Sequence, residues 1–129
     1  MKNISIKLLF LTLFLLPAYL YAENLPKIEL VDSPWDFGQV KKDQIAEKSF
    51  FITNEGEGKL SIKSVSSCCG YRLKELSSWK IAPGERSEIT ILCNGKIKNI
   101  GKDEKKFTIK SNDPVNPELK APVRSYIVE

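Results

Sequence analysis

Across residues 48–54 the side chains alternate, with Phe50 and Ile52 on one face and Ser49, Phe51 and Thr53 on the other. That two-residue period is the mark of a strand with one buried side. The run Asn54-Glu55-Gly56-Glu57-Gly58 is rich in residues that tolerate positive φ, and it predicts a hairpin turn into a second strand over 59–66. Further on, Ile81-Ala82-Pro83-Gly84-Glu85 sets a φ-fixed proline before a permissive glycine, the order of a type II turn. The strand it feeds, 87–93, puts Ile89, Ile91 and Cys93 on one face, so Cys93 is expected to point where the core isoleucines point.

The alternation returns at 105–111, with Phe107, Ile109 and Ser111 opposed to Lys106, Thr108 and Lys110, and stops at Asn112-Asp113-Pro114. A last strand is expected over 119–128. Pro122 cannot donate to a ladder, which predicts that this strand is bulged or lies at an edge open to docking. Residues 71–80 read as an irregular strand crossing between two sheets, with Leu73, Leu76 and Trp79 covering the core. No window carries a helical period for much more than one turn. Short strands spaced by Gly, Pro, Asn and Asp give an all-β class, and the leading architecture is an immunoglobulin-like Greek-key β-sandwich of about seven or eight strands.

The N-terminal stretch has a different pattern. Lys2 and Lys7 precede an uncharged run over 8–22, with Pro17 and then Ala22 ahead of the polar Glu23-Asn24. This predicts a signal peptide over 1–22, too short an apolar run to span a bilayer, since spanning takes ~20 apolar residues. Residues 23–34 are expected to lead into a single domain over 35–129. Cleavage would leave 107 residues and lower the net charge from +4 to +2, too balanced a surface to suggest nucleic acid. The processed chain is expected to be exported, periplasmic or secreted, without membrane insertion.

Four motifs in order carry a resemblance: Asp36-Phe37-Gly38-Gln39-Val40, Phe51-Ile52-Thr53-Asn54-Glu55-Gly56, Ile81-Ala82-Pro83-Gly84-Glu85 and Ser111-Asn112-Asp113-Pro114. Together they resemble the bacterial domain of unknown function fifteen-seventy-three, a family similar to the immunoglobulin-like domains of Hydin and major sperm protein. The resemblance implies a sandwich of seven or eight strands, usually exported, with no established catalytic activity and no common ligand. It also favours the periplasm over secretion. Members of the family often carry Ser-Cys-Gly-Cys-Thr, whereas this chain has Ser67-Cys68-Cys69-Gly70-Tyr71. Cys68 matches the first family cysteine, and Gly70 stands where the second would be.

The chain contains no histidine, which removes the commonest general base, metal ligand and nucleophile partner. Glycines occur singly in turns and form no phosphate cradle. No catalytic residue, cofactor or metal site is therefore assigned, and the expected role is an exported, non-catalytic binding or assembly module of the cell envelope. Its partner is expected to be a protein, met by loops or by an edge strand.

The three cysteines are the remaining chemistry. In a sandwich meander the strands ending at Cys68-Cys69 and at Cys93 finish at the same end. A bridge from Cys68 to Cys93, with Cys69 as the alternative partner, would close a loop of ~25 residues and contribute roughly 3 kcal/mol. A bond between Cys68 and Cys69 needs a strained eight-membered ring and ranks lower. The alternative function is a soft-metal or thiol-redox protein, with Cys68, Cys69 and Cys93 converging on an ion such as Cu(I). An oxidoreductase of the usual kind would place Cys-x-x-Cys at a helix N-terminus, and no such helix is legible.

Overall fold

The computed structural model describes residues 24–66 and 68–129. The signal peptide expected over 1–22 lies outside the described residues. Nine strands are found among those described: β1 (Ile28–Leu30), β2 (Trp35–Lys41), β3 (Ile45–Asn54), β4 (Leu60–Ser66), β5 (Tyr71–Leu76), β6 (Lys80–Ile81), β7 (Arg86–Asn94), β8 (Gly101–Ser111) and β9 (Glu118–Val128). A 3-10 turn, Gly95–Ile97, follows β7. The class is all-β, as the alternation predicts. Within the segment expected as a lead-in, β1 already pairs with β3, Glu29 lying opposite Thr53.

Two sheets face each other, one ordered β1-β3-β7-β5 and the other β2-β9-β8-β4-β6. Pairing is antiparallel except between β2 and β9, which run parallel from Trp35 opposite Val123 to Lys41 opposite Val128. The inward faces of both sheets fill one core. Trp35 stacks on Phe50 with ring centroids 5.1 Å apart, and its indole N–H donates to the Val31 carbonyl at 3.0 Å, so neither its bulk nor its polar edge is left uncompensated. Ile89, Ile91 and Cys93 are fully buried, as their shared face requires.

Three expectations are corrected. The turn after Asn54 does not close a hairpin, because β3 and β4 belong to different sheets and the chain arches between them. Nor do Gly56 and Gly58 serve that arch by positive φ. A Cβ on Gly56 would lie 2.2 Å from the Leu25 carbonyl oxygen, and one on Gly58 would lie 2.3 Å from that of Asn24. Close approach of the N-terminal backbone is what excludes a side chain there.

The second correction concerns β9, which is no edge: β2 flanks it on one side and β8 on the other. Its pairing with β2 begins at Val123, one residue beyond Pro122, so the missing N–H is accommodated where the β2 ladder has not yet started. The candidate docking edge over 119–128 is withdrawn. The third correction concerns 71–80. This segment does cross between sheets, β5 lying in one and β6 in the other, and Leu76 is buried. Trp79, however, is exposed and does not cover the core.

The motifs behind the resemblance turn out to tie the sandwich together. Asn54 is wholly buried, accepts from the N–H groups of Lys27 and Gly56, and donates to the carbonyls of Gly58 and Ile81. Asp113 accepts from the N–H groups of Ile28, Val115 and Asn116. Gly84 adopts φ +77°, as its turn requires, and its N–H meets the Asn54 carbonyl. Asp36 accepts from the Gly38 N–H at 2.7 Å and pairs with Arg124 at 2.9 Å.

Candidate functional site

β5 opens beside the end of β7. Tyr71 lies opposite Cys93, and the Gly70 carbonyl accepts from the Asn94 N–H at 2.8 Å. The turn leading into β5 is closed by reciprocal backbone bonds between Cys68 and Tyr71, at 3.2 and 2.9 Å. Its two central residues, Cys69 at φ 58° and Gly70 at φ 91°, are both left-handed, the sign that tight hairpin turns demand. Cys68 and Cys69 are exposed and are joined to each other by a disulfide.

This corrects the expected pairing. The two cysteine positions do come together at one end of the sandwich, but Cys93 is a free, fully buried thiol. Its Sγ faces the Ser125 hydroxyl at 3.7 Å, across the core on β9, while Cys68 sits in a turn outside the sheets. Proximity was legible, but the direction of each side chain decides the bond. Cys69, the alternative partner, pairs with its neighbour and not with Cys93. Nor do the three sulfurs converge on an ion, and among the described residues no group of three Cys, Asp or Glu could hold one.

Lys98 anchors the turn from below. Only 5% exposed, it donates from Nζ to the Cys69 carbonyl at 2.7 Å and to Asp103 Oδ2 at 2.6 Å, and it lies 3.7 Å from the centre of the Tyr71 ring. A carbonyl, a carboxylate and a ring face together compensate the buried ammonium. Its side chain also explains the glycine beside the cysteines: a Cβ on Gly70 would stand 3.0 Å from Lys98 Cε and 3.1 Å from Nζ. Sequence reading missed Lys98, because nothing in Lys96-Ile97-Lys98 marks which lysine turns inward.

Protonation follows from this packing. Burial pushes the Cys93 thiol up, so it stays protonated and poorly reactive. Burial likewise drives the Tyr71 phenol far above its ordinary value, and its hydroxyl shares a 2.7 Å hydrogen bond with Ser125. For Asp103 burial acts upward, but hydrogen bonds from Lys98 and Tyr71 outweigh it and hold the carboxyl below its ordinary value. The interior of this end is neutral and satisfied, and its reactive chemistry is confined to the surface.

Beside the disulfide runs a shallow groove of about 420 Å³, whose walls include Ile45, Leu92, Ile97 and Arg72. Ile45 is 53% exposed and Ile97 67%. Arg72 lines the groove, exposed Lys96 precedes Ile97 in the chain, and half-buried Lys42 donates to the Lys96 carbonyl at 3.1 Å. Asp43, Glu47 and Glu129 are exposed acids near this end, Glu47 being paired with Lys74, and the Lys98–Asp103 pair is internally neutral. The groove thus has apolar walls, with Arg72 as the charged residue that lines it.

A model of a family described as proteins of unknown function, DUF1573, matches residues 28–122. No curated protein matches the sequence. Among solved structures, a protein of unknown function from Porphyromonas gingivalis W83 superposes with a TM-score of 0.70 at 21% identity, covering 81% of this chain and 48% of that one. The ASH/PapD-like domain 7 of human CEP192 gives 0.58 at 12% identity, covering 81% of this chain and 87% of its own. The secreted serine protease VesC of Vibrio cholerae gives 0.58 at 13% identity, covering 83% and 24%. The chain therefore spans about half the length of the Porphyromonas protein and about a quarter of VesC. At such identities the likeness concerns the fold alone, a two-sheet β-sandwich.

Proposed function

This chain belongs to the DUF1573 family, and from that premise we propose that it is a non-catalytic binding or assembly module of the cell envelope, contacting a protein partner through the end that carries Cys68 and Cys69. The observation that carries the reading is the pair of exposed isoleucines, Ile45 and Ile97, that line one groove with half-buried Leu92. Apolar residues scattered singly need no explanation, but a cluster rimmed by charge is the usual anatomy of a contact surface.

Contact through the loops of this end is better supported than strand pairing. β9 is internal, β1 and β6 are very short, the edge strand β2 is broken by an irregularity between Asp36 and Gln39 with Gly38 at φ 70°, and the free edge of β5 carries Arg72, Lys74 and Glu75 with an irregularity between Leu73 and Glu75. The part of β8 that runs beyond β4 begins Lys102-Asp103-Glu104-Lys105-Lys106. Charges and bulges of this kind discourage edge-to-edge pairing.

Export, to the periplasm or beyond, is supported by the leader pattern over 1–22 and by a surface disulfide, which persists in oxidising compartments. A photo-cross-linking residue placed at Ile97, and separately at the opposite end at Val115, tests the contact surface in the cells that make the protein. Discrete adducts from position 97 and none from 115 are expected. No adduct from 97, or the same adducts from both, overturns the reading.

A further inference from the structure

We propose that the Cys68–Cys69 disulfide is a thiol–disulfide exchange site, which captures a cysteine carried on an acidic, apolar segment of a partner protein. The inference rests on the reading of this end as the contact surface and adds a covalent step to it. Both cysteines are exposed, whereas Cys93 is buried with a protonated thiol, so the vicinal pair alone meets an incoming thiol. The groove beside the pair supplies apolar walls at Ile45 and Ile97, and Arg72, which lines it, supplies the charge opposite to an acidic flank, with exposed Lys96 next to Ile97 in the chain. The attacking and departing species in such an exchange are both thiolates.

The scaffold does not depend on the sulfur bond. Cys68 and Tyr71 hold each other by backbone bonds, Gly70 is held by Asn94, and Lys98 holds the Cys69 carbonyl. The turn thus keeps its frame when the disulfide opens. In the step itself a partner thiolate attacks one sulfur of the pair, a new S–S bond forms, and the Cys68–Cys69 bond breaks. The electron pair passes to the other cysteine, which leaves as a thiolate. Attack by that thiolate on the mixed disulfide reverses the capture. Attack by a second partner thiol instead releases a partner disulfide and leaves Cys68 and Cys69 as a dithiol, the vicinal pair being the oxidant. The redox balance closes with no further reagent.

The test uses the full chain, purified in air, and measures mixed-disulfide formation by quenched mass spectrometry. The probe is a pentapeptide, amidated at its C-terminus, with one cysteine between two leucines and a glutamate at each end, and reduced glutathione serves as a small thiol of the same net charge. The peptide is expected to react about tenfold faster, the order of gain from burying one apolar side chain. The paired change Ile45→Ser and Ile97→Ser is expected to bring the peptide down to the glutathione rate while leaving glutathione unaffected. Equal rates in the unaltered chain, or a peptide rate insensitive to the paired change, overturn the proposal. A chain with Cys68→Ser and Cys69→Ser separates the two readings. If it still yields the Ile97 adducts while the peptide assay fails, the contact surface stands and the exchange step falls.

Discussion

The side-chain amide of Asn54, at the end of β3, donates to the carbonyl of Ile81 in β6 at 2.9 Å, joining the two sheets through a buried hydrogen bond. The same side chain meets Gly58, Gly56 and Lys27, so one residue satisfies backbone groups from three separate segments. Removing it leaves the buried Ile81 carbonyl and three part-buried backbone groups without this partner, each at a cost of about 1 kcal/mol. Asn54→Ala is expected to lower the unfolding free energy by about 2 to 4 kcal/mol in urea titration. Asn54→Asp is expected to do worse at neutral pH, because a carboxylate would face the carbonyl oxygens of Gly58 and Ile81.

Asp113 makes stability depend on pH. Burial acts to raise its carboxyl, but the N–H groups of Ile28, Val115 and Asn116 prevail and hold it below its ordinary value. A carboxyl whose folded value lies below the unfolded one, about 3.9, stabilises the fold fully above that pH and loses its contribution as pH falls through the folded value. Asp36, depressed chiefly by the Gly38 N–H, and Asp103 act with the same sign. The urea midpoint is expected to stay level from neutral pH to about 5 and to fall below about 4. Asp113→Asn should cost about 1 to 3 kcal/mol at pH 7 and make the acid limb shallower.

Lys98 and Asp103 form the most buried ion pair among the described residues, with side chains 3% and 19% exposed. Breaking such a pair from one side leaves a charge without its partner, at about 3 kcal/mol or more. Lys98→Met is expected to lower the denaturation midpoint accordingly. Adding Asp103→Asn should recover part of the loss, because the orphaned charge then disappears. Equal stability of the single and double variants would show that the pair contributes packing alone.

Much of the fold was legible because the two-residue period is a local property. Ile89, Ile91 and Cys93 share a face whatever the topology, and they are all buried. What the chain does after a turn is not local. The glycine-rich run after Asn54 signals a reversal, but whether the next strand joins the same sheet or the facing one depends on partners far away in sequence. Pro122 likewise announced a missing donor without saying that β2 would begin one residue later.

The site was legible only in part, and for a similar reason. Chain direction placed Cys68, Cys69 and Cys93 at one end, whereas the left-handed turn at Cys69 and Gly70 is what turns the first two outward. The residues that carried the family resemblance, Asn54, Gly84, Asp113 and Asp36, bind the backbone of the sandwich, so they speak for the fold and are silent on the partner. The exposed isoleucines drew no notice in the sequence, since Ile45 lies far from Ile97 until β3 and β7 are paired.

The account turns on reactive sulfur being displayed at the surface while Cys93 stays in the core, and a tryptic map of the unreduced protein tests this most directly. Cleavage after Lys63 and Arg72 releases one peptide with both Cys68 and Cys69, and cleavage after Arg86 and Lys96 releases another with Cys93. The expected result is a first peptide lighter by two hydrogens than its dithiol form. The second should carry a free thiol that resists alkylation until the protein is unfolded. A single cross-linked species joining the two peptides would mean that Cys93 staples the sandwich to Cys68 or Cys69, and would contradict the account.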